Sequence, residues 1–148
     1  MKIPPFRLQA PLRYRSHQRD LVRGFLAEAL AELNRCQLEV ERLERDKELA
    51  LEDLVQATRP GSLNVDHAVT QRIHIGQLKS MILDAERRVH LAEDQVDLCR
   101  RALVLADQKV KSLENLEEQD RIAFIQKQEQ KESREREDNW LSINAFQR

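Results

Sequence analysis

The chain has 148 residues, of which 34% are charged and only 4% are aromatic, with three glycines and four prolines. This composition is typical of long helices and argues against a globular domain with a three-dimensional core. The formal net charge of −1 indicates no class of partner by itself. No stretch approaches the ~20 apolar residues of a membrane-spanning helix. The start, Met-Lys-Ile-Pro-Pro, lacks the apolar region of a secretory signal.

The first 57 residues predict an extended lead-in followed by a helix. Residues 1–11 contain three of the four prolines, which disfavour a helix there. Helix 1 is expected over residues 12–57, because apolar residues recur at alternating steps of three and four, the a/d spacing of a coiled coil. This first apolar stripe consists of Val22, Leu26, Ala29, Leu33, Cys36, Val40, Leu43, Ala50, Leu54 and Ala57.

Pro60 and Gly61 predict the end of helix 1 and a turn over residues 58–66. Helix 2 is expected over residues 67–138, with Asn64 or Asp66 as its N-cap, since short polar side chains accept hydrogen bonds from the first turn. Its apolar stripe consists of Ala68, Ile75, Leu78, Ile82, Ala85, Val89, Ala92, Val96, Cys99, Leu103, Ala106, Val110 and Leu113.

The two stripes match each other in one antiparallel register. Val22 then faces Leu103 at one end, and Ala57 faces Ala68 beside the turn. A slip of one heptad would bury the Pro-Gly dipeptide in a helix or leave a long unpaired loop. The sequence therefore predicts an all-α fold, two long helices in an antiparallel coiled-coil hairpin, as one elongated domain over residues 1–148.

The apolar seam has polar interruptions near the turn, where Lys47 faces Leu78 and Gln71 faces Leu54. A lysine at a seam position can pack its stem while its amine reaches water. The seam is therefore expected to be weaker near the turn than in the middle of the hairpin.

At the open end, the first stripe continued backwards meets Arg19 and Arg15, which are poor core residues. An alternative apolar row there runs through Tyr14, Leu21 and Phe25, and its spacing predicts a stutter that locally unwinds the supercoil. Helix 2 is longer than helix 1, so three apolar residues near its end lack partners unless the lead-in folds back: Ile122, Phe124 and Ile125.

Charge is unevenly distributed at the same end. The first 23 residues are rich in arginine, whereas residues 114–120 are acidic. Two interpretations are open: mutual compensation across the base of the hairpin, or a basic patch for an acidic partner.

The sequence contains no pattern that points to catalysis. We find no glycine-rich phosphate loop, nucleophile constellation or metal-ligand spacing, so no enzyme activity, cofactor or metal is expected. His67 and His74 share a helix face, but no third ligand completes a metal set. Cys36 and Cys99 lie on different layers of the seam and are expected to be buried, reduced apolar fillers.

Two further features have alternative interpretations. An arginine-rich start before heptads superficially resembles a basic-zipper DNA reader. The arginines are sparse, however, and the second stripe offers an internal partner, so nucleic acid is not an expected partner. The tail, residues 139–148, carries the only tryptophan, Trp140, and is either a disordered end or a short partner-docking motif.

Both chain ends resemble the FliJ family, the stalk protein of the flagellar type III export apparatus. The start reads Phe6-Arg7-Leu8-Gln9 before a Leu/Arg helix, and the end carries Leu113-Glu114-x-Leu116-Glu117-Glu118 before a charged tail. The resemblance covers almost the whole chain. It implies a protein at the cytoplasmic face of the inner membrane, membrane-associated only through the export machinery. The partners it implies are the hexameric export ATPase, the cytoplasmic domain of the export gate and the export chaperones.

The resemblance also implies two partner-binding surfaces. The gate surface of the family lies early in helix 2, which here contains Ile73, His74, Leu78 and Met81. For the ATPase ring we expect the open end to contribute Arg13, Arg15, Arg19, Arg23 and Phe124. Coulombic attraction between arginines and an acidic ring lumen would be sensitive to salt.

Two alternative identities fit the same pattern. The stalk protein of a virulence type III secretion system shares this architecture. A generic structural coiled coil that self-assembles would share the heptads but would form homodimers or filaments.

Overall fold

The computed structural model describes residues 2–61 and 63–147 and contains two α-helices, α1 (Gln9–Ala57) and α2 (Val65–Phe146). No strand occurs within these described residues, and the two helices pack against each other, which confirms the all-α helical hairpin. The chain divides into two compact units. We call Leu21–Leu103 the hairpin unit, and Met1–Asp20 with Val104–Arg148 the terminal unit.

In the hairpin unit, α1 and α2 bury the two apolar stripes against each other. Leu43 of α1 lies in one buried cluster with Leu78, Ile82 and Ala85 of α2. Farther from the turn, Ala29 packs with Val96 and Cys99 in a second cluster. Every residue of the two stripes is buried or half-buried. Narrow apolar stripes can be removed from water only by pairing with each other, so burial of the seam is what holds this hairpin together.

The heptad phase continues towards the N-terminus without a change, so the predicted stutter is wrong. Leu21 and Phe25 of the hairpin unit are exposed. In the terminal unit Tyr14 is exposed, whereas Arg15 and Arg19 are half-buried. The long aliphatic stem of an arginine can occupy a seam position while its guanidinium stays polar. The heptad periodicity of α1 therefore decides which side chains are buried, even though the alternative row is more apolar.

Helix α1 begins at Gln9, three residues before the predicted start at Leu12. The amide of Leu12 donates to the Leu8 carbonyl (3.0 Å), so Pro11 lies inside the first turn. The first amides of a helix have no intrahelical acceptor, so a proline costs nothing there. The prediction that the lead-in extends to residue 11 is therefore wrong.

The turn between the helices is short and well capped. The Asn64 amide donates to the Ala57 carbonyl (3.1 Å), and Asn64 Oδ1 accepts from the His67 amide (3.1 Å), which confirms Asn64 as the N-cap of α2. Gly61 adopts a left-handed backbone with φ of 87°, a conformation that favours glycine. The cap starts α2 at Val65, two residues before the predicted start.

Helix α2 continues to Phe146, eight residues beyond the predicted end at Asp138. Residues 126–138 contain Gln, Lys, Glu, Arg, Ser and Asp and neither glycine nor proline, so nothing in them stops a helix. Most of the tail, residues 139–146, is therefore helical, and Trp140 lies on an exposed part of the helix.

Candidate partner-binding surfaces

The segment expected to contact the export gate presents an exposed apolar pair on α2 of the hairpin unit. The side chains of Ile73 and Met81 are 60% and 46% exposed, and His74 beside them is exposed as well. Since Ile75 and Ile82 are needed in the seam, neighbours off the seam must face water. The three side chains fall within an arc of about 100° on the helix, so one partner can contact all of them.

Leu78 does not belong to this surface. It is only 3% exposed and packs in the seam with Leu43, because it occupies a heptad core position. Its side chain therefore offers almost no surface for direct contact with the gate, and its role there stays a prediction. Leu78 instead holds the stretch of α2 that carries Ile73 and Met81 against α1.

A cross-helix polar contact lies close to this surface. His67 Nε2 is 3.0 Å from Asp53 Oδ2, which links the start of α2 to the last turns of α1. A shallow groove beside it is lined by Asp46, Asp53, Gln71 and His74 together with apolar atoms of α1. The exposed apolar pair is thus bordered by carboxylates on one side, which favours a partner with basic groups at the rim.

Arg13 and Arg15 of the terminal unit differ in their availability. Arg13 is exposed. The guanidinium of Arg15 lies over the ring of Tyr14, 5.6 Å from the ring centroid, and donates a hydrogen bond to Gln18 Oε1 (3.1 Å). The side-chain amide nitrogen of Gln18 in turn donates to the Tyr14 hydroxyl (2.7 Å). Cation–π contact and hydrogen bonding hold this guanidinium in one place. Nothing in the heptad pattern predicts this network, although the i, i+3 and i+4 spacing is compatible with it.

The other arginines show that part of the basic charge is neutralised within the chain. Arg19 is half-buried, and its Nε lies 4.0 Å from Asp107 Oδ1 of α2 and 3.8 Å from Asp20 Oδ1. Arg7 Nε lies 3.2 Å from Asp120 Oδ2. In the hairpin unit, Arg23 is exposed. Compensation between the basic start and the acidic segment, residues 114–120, therefore occurs at Arg7, whereas the carboxylates beside Arg19 lie outside that segment.

Phe124 lies against the lead-in of the terminal unit. It is half-buried and lines a groove with Pro4, Pro5 and Phe6, and the Arg7–Asp120 ion pair lies beside it. The lead-in therefore packs along α2, which gives Phe124 an intrachain partner. Ile125 is half-buried too, whereas Ile122 remains exposed.

Hydrogen bonds between neighbouring side chains on one helix, and burial in the seam, shift the pKa values of several groups. A hydrogen bond from Arg121 lowers the pKa of Glu118, and one from Arg35 lowers the pKa of Glu32. Burial, and then a hydrogen bond to Glu32 (3.6 Å), raises the pKa of the Cys36 thiol. Cys36 is therefore mostly the neutral thiol at neutral pH, as suits an apolar filler.

The surfaces offer apolar contact around Ile73 and Met81 and positive charge at Arg13, which are means of noncovalent binding. Among the described residues, no cluster of three histidine, cysteine or acidic side chains could hold a metal ion. Within the same ranges, neither helix has a stretch long and apolar enough to span a membrane.

Comparison with known proteins gives one match. A family model described as "Flagellar FliJ protein" matches residues 5–148, essentially the whole chain. Neither the curated proteins nor the solved structures contain a significant match.

Proposed function

Because this chain belongs to the FliJ family of flagellar proteins, we propose that it is a non-enzymatic stalk that bridges the export ATPase ring and the export gate. Membership of the family makes the chain a flagellar export-related component. The matched family is flagellar, which favours the flagellum over a virulence secretion system.

The observation that carries this proposal is the pairing of α1 and α2 within one chain. The apolar stripes of the hairpin unit are buried against each other, so no second chain is needed to cover them. Paired helices are stiffer than a flexible linker, and their outer faces remain available to partners. A bridging element needs both properties, because a flexible segment would transmit little force or position.

The gate contact is assigned to the exposed apolar pair of Ile73 and Met81, together with His74. These side chains lie outside the seam and can be buried by a partner without loss of hairpin stability. The nearby Asp46 and Asp53 add a negative rim, so the gate domain is expected to present apolar residues framed by basic ones.

The ATPase contact is assigned to the terminal unit, with Arg13 as the most available cation. Arg15 contributes through its fixed guanidinium. Arg19 acts mainly within the chain because it pairs with Asp107. Phe124 contributes apolar contact only where the groove beside the lead-in leaves it accessible. Since Arg13 is exposed, its attraction to an acidic ring lumen weakens as salt rises.

The proposal also includes escort of export chaperones and a cytoplasmic location at the inner membrane, reached through the export machinery alone. No nucleic acid, cofactor or metal takes part. The exposed outer faces of the helices are where chaperones would dock.

Binding to the purified cytoplasmic domain of the cognate gate tests the first contact. Ile73→Glu and Met81→Glu should each weaken binding by about tenfold or more, since each puts a carboxylate in an apolar contact. Leu83→Glu is the matched control, because Leu83 is 58% exposed on another face of α2. Equal affinity of all three variants and the unchanged protein would refute the gate assignment.

Binding to the purified cognate ATPase tests the second contact. Arg13→Glu should weaken the complex and flatten its salt dependence, since a charge attraction becomes a repulsion. Arg134→Glu, another exposed arginine of the terminal unit, should leave binding unchanged. An ATPase complex that responds equally to both substitutions would show that only net charge matters and would overturn the assignment.

A further inference from the structure

The last part of α2 carries a second heptad pattern that is not the seam. Beyond the seam, positions stepping by three and four form one face of the helix. This face, which we call the C-terminal face, consists of Ile122, Ile125, Glu129, Glu132, Arg136, Asn139, Ile143 and Phe146. It is turned by about 150° from the row of Glu117, Asp120 and Phe124 that continues the seam, so it is a separate surface.

The C-terminal face is largely open in the terminal unit. Ile143 and Phe146 are 58% and 93% exposed, Ile122 is exposed, and Ile125 is half-buried. Every other member is exposed. A face with apolar residues at both ends and charged residues in the middle therefore lies in water.

The order of residues on this face is self-complementary when two copies run antiparallel. Ile122 then faces Phe146 of the second copy, and Ile125 faces Ile143. In the middle Glu132 faces Arg136 and Glu129 faces Asn139, a polar layer without opposite charges, and each of these contacts occurs twice by symmetry. In an antiparallel coiled coil, a positions meet d positions, and all of these pairs obey that rule.

Other arrangements are disfavoured by charge. A parallel pair would place Glu132 against Glu132 and Arg136 against Arg136. An antiparallel slip of one heptad would place Ile125 opposite Arg136 in one direction, or Glu132 opposite Ile143 in the other. Polar core residues of this kind lower stability but select one register.

We infer that two copies of this chain associate through the C-terminal face as a closed antiparallel dimer, with residues 122–146 of each helix in contact. A two-fold contact uses the same patch on both copies, so association stops at two. This separates the dimer from an open self-assembling filament. The inference does not depend on the proposed export function, because it concerns a face that neither assigned contact uses.

A second copy fits this face better than a lipid surface. Residues 131–138 carry three basic and four acidic side chains, and Glu137 and Asp138 directly precede the apolar end. Interfacial helices on anionic membranes need a polar face rich in Lys and Arg. The matched opposite charges of Glu132 and Arg136, by contrast, are what an identical antiparallel partner requires.

One like-charge approach limits the strength of the dimer. Glu135 flanks the two-fold axis and comes near its own copy, so like-charge repulsion there should lower the affinity of the dimer. Removing this charge with Glu135→Gln should therefore tighten association.

Analytical ultracentrifugation of the full chain over a wide concentration range tests the inference. The mass should rise from the 17.4 kDa monomer to twice that value and no further. Trp140, the only tryptophan, lies at the edge of the face, and its emission should shift to the blue as the dimer forms.

A matched pair of variants locates the contact. Ile143→Glu should raise the dissociation constant by about tenfold or more, because each copy would bury a carboxylate against Ile125. Leu141→Glu is the control, since Leu141 is also 58% exposed but lies on the opposite side of the helix. Both positions are near the end of α2, so neither variant should disturb the seam.

A charge exchange tests the register. Glu132→Arg alone should weaken the dimer because Arg would face Arg136, and adding Arg136→Glu should restore it. Monomers at every concentration would overturn the inference, and so would a dimer equally sensitive to Ile143→Glu and Leu141→Glu. Failure of the double exchange to restore association would overturn the register. None of these results affects binding to the ATPase or gate, so the export proposal stands or falls separately.

Discussion

Leu43 of α1 and Ile82 of α2 lie in the same buried cluster of the hairpin unit, although they are far apart in sequence. Leu43 is only 1% exposed. Their proximity follows from the single register in which the two stripes pair, and that register also decides which side chains remain exposed to partners.

A cysteine pair at these two positions tests the register. Leu43→Cys with Ile82→Cys, in a chain whose native cysteines are replaced by serine, should form a disulfide within one chain, since facing core positions bring the two Cβ atoms close. Non-reducing electrophoresis and mass spectrometry distinguish this product from a cross-linked dimer. The pair Leu43→Cys and Leu83→Cys should not cross-link. Cross-links found only between chains would contradict an intrachain hairpin.

Replacing Gln71 with an apolar residue should stabilise the hairpin. The Oε1 atom of Gln71 is buried without a hydrogen-bond partner, and this residue faces Leu54 in the seam. Gln71→Leu should raise the free energy of unfolding by about 1 kcal/mol, because it removes an unsatisfied polar atom and adds apolar contact. Urea unfolding followed by circular dichroism measures this. Gln77→Leu, at an exposed position, should change stability little, and a loss of stability in Gln71→Leu would contradict the packing described.

The rate at which the Cys36 thiol is alkylated should depend on pH. Burial raises the pKa of this thiol, so at neutral pH little of it is the reactive thiolate. Alkylation of the native protein by iodoacetamide should therefore be slow at Cys36 and should accelerate as pH rises towards the elevated pKa. Peptide mass spectrometry reports the extent of labelling, with urea-unfolded protein as the control for full reaction. Rapid labelling of native Cys36 at neutral pH would show that the seam is open there.

Loss of the contact between the lead-in and α2 should change the rate of trypsin cleavage in the lead-in. Phe6 is half-buried beside Phe124, and the Arg7–Asp120 ion pair is exposed enough to contribute little. Phe6→Ala should therefore release the lead-in and speed trypsin cleavage after Arg7, with little loss of helix content. Leu21→Ala serves as the control because Leu21 is 49% exposed on α1 and does not line this groove. An unchanged cleavage rate in Phe6→Ala would mean that apolar contact does not hold the lead-in.

The core of the hairpin could be predicted from the sequence because burial there follows a strict period. Leu43, Ala50 and Ile75 lie where the stripes place them. The Pro-Gly turn and the Asn64 cap could also be predicted, because both depend on the residues of the turn itself and not on distant contacts. The half-burial of Arg15 and Arg19 does not follow from residue type. It follows from the heptad spacing, because the long aliphatic stem of an arginine can occupy a seam position.

The surfaces could be predicted only in part. The exposure of Ile73 and Met81 could be predicted, because Ile75 and Ile82 occupy the seam positions of this stretch and leave their neighbours outside the seam. Leu78 was assigned both to the seam and to the surface, and a buried side chain cannot serve a partner directly. The Tyr14–Gln18–Arg15 network depends on side-chain geometry that periodicity does not encode.

The most direct test of the bridging function is a capture assay with purified components. Immobilised cognate export ATPase should retain the soluble cytoplasmic domain of the gate when this protein is present, and should lose it when Met81→Glu replaces the native chain. The ATPase should still retain the Met81→Glu protein itself. Retention of the gate domain without this chain, or failure of the native chain to hold both partners at once, would contradict its role as the bridge.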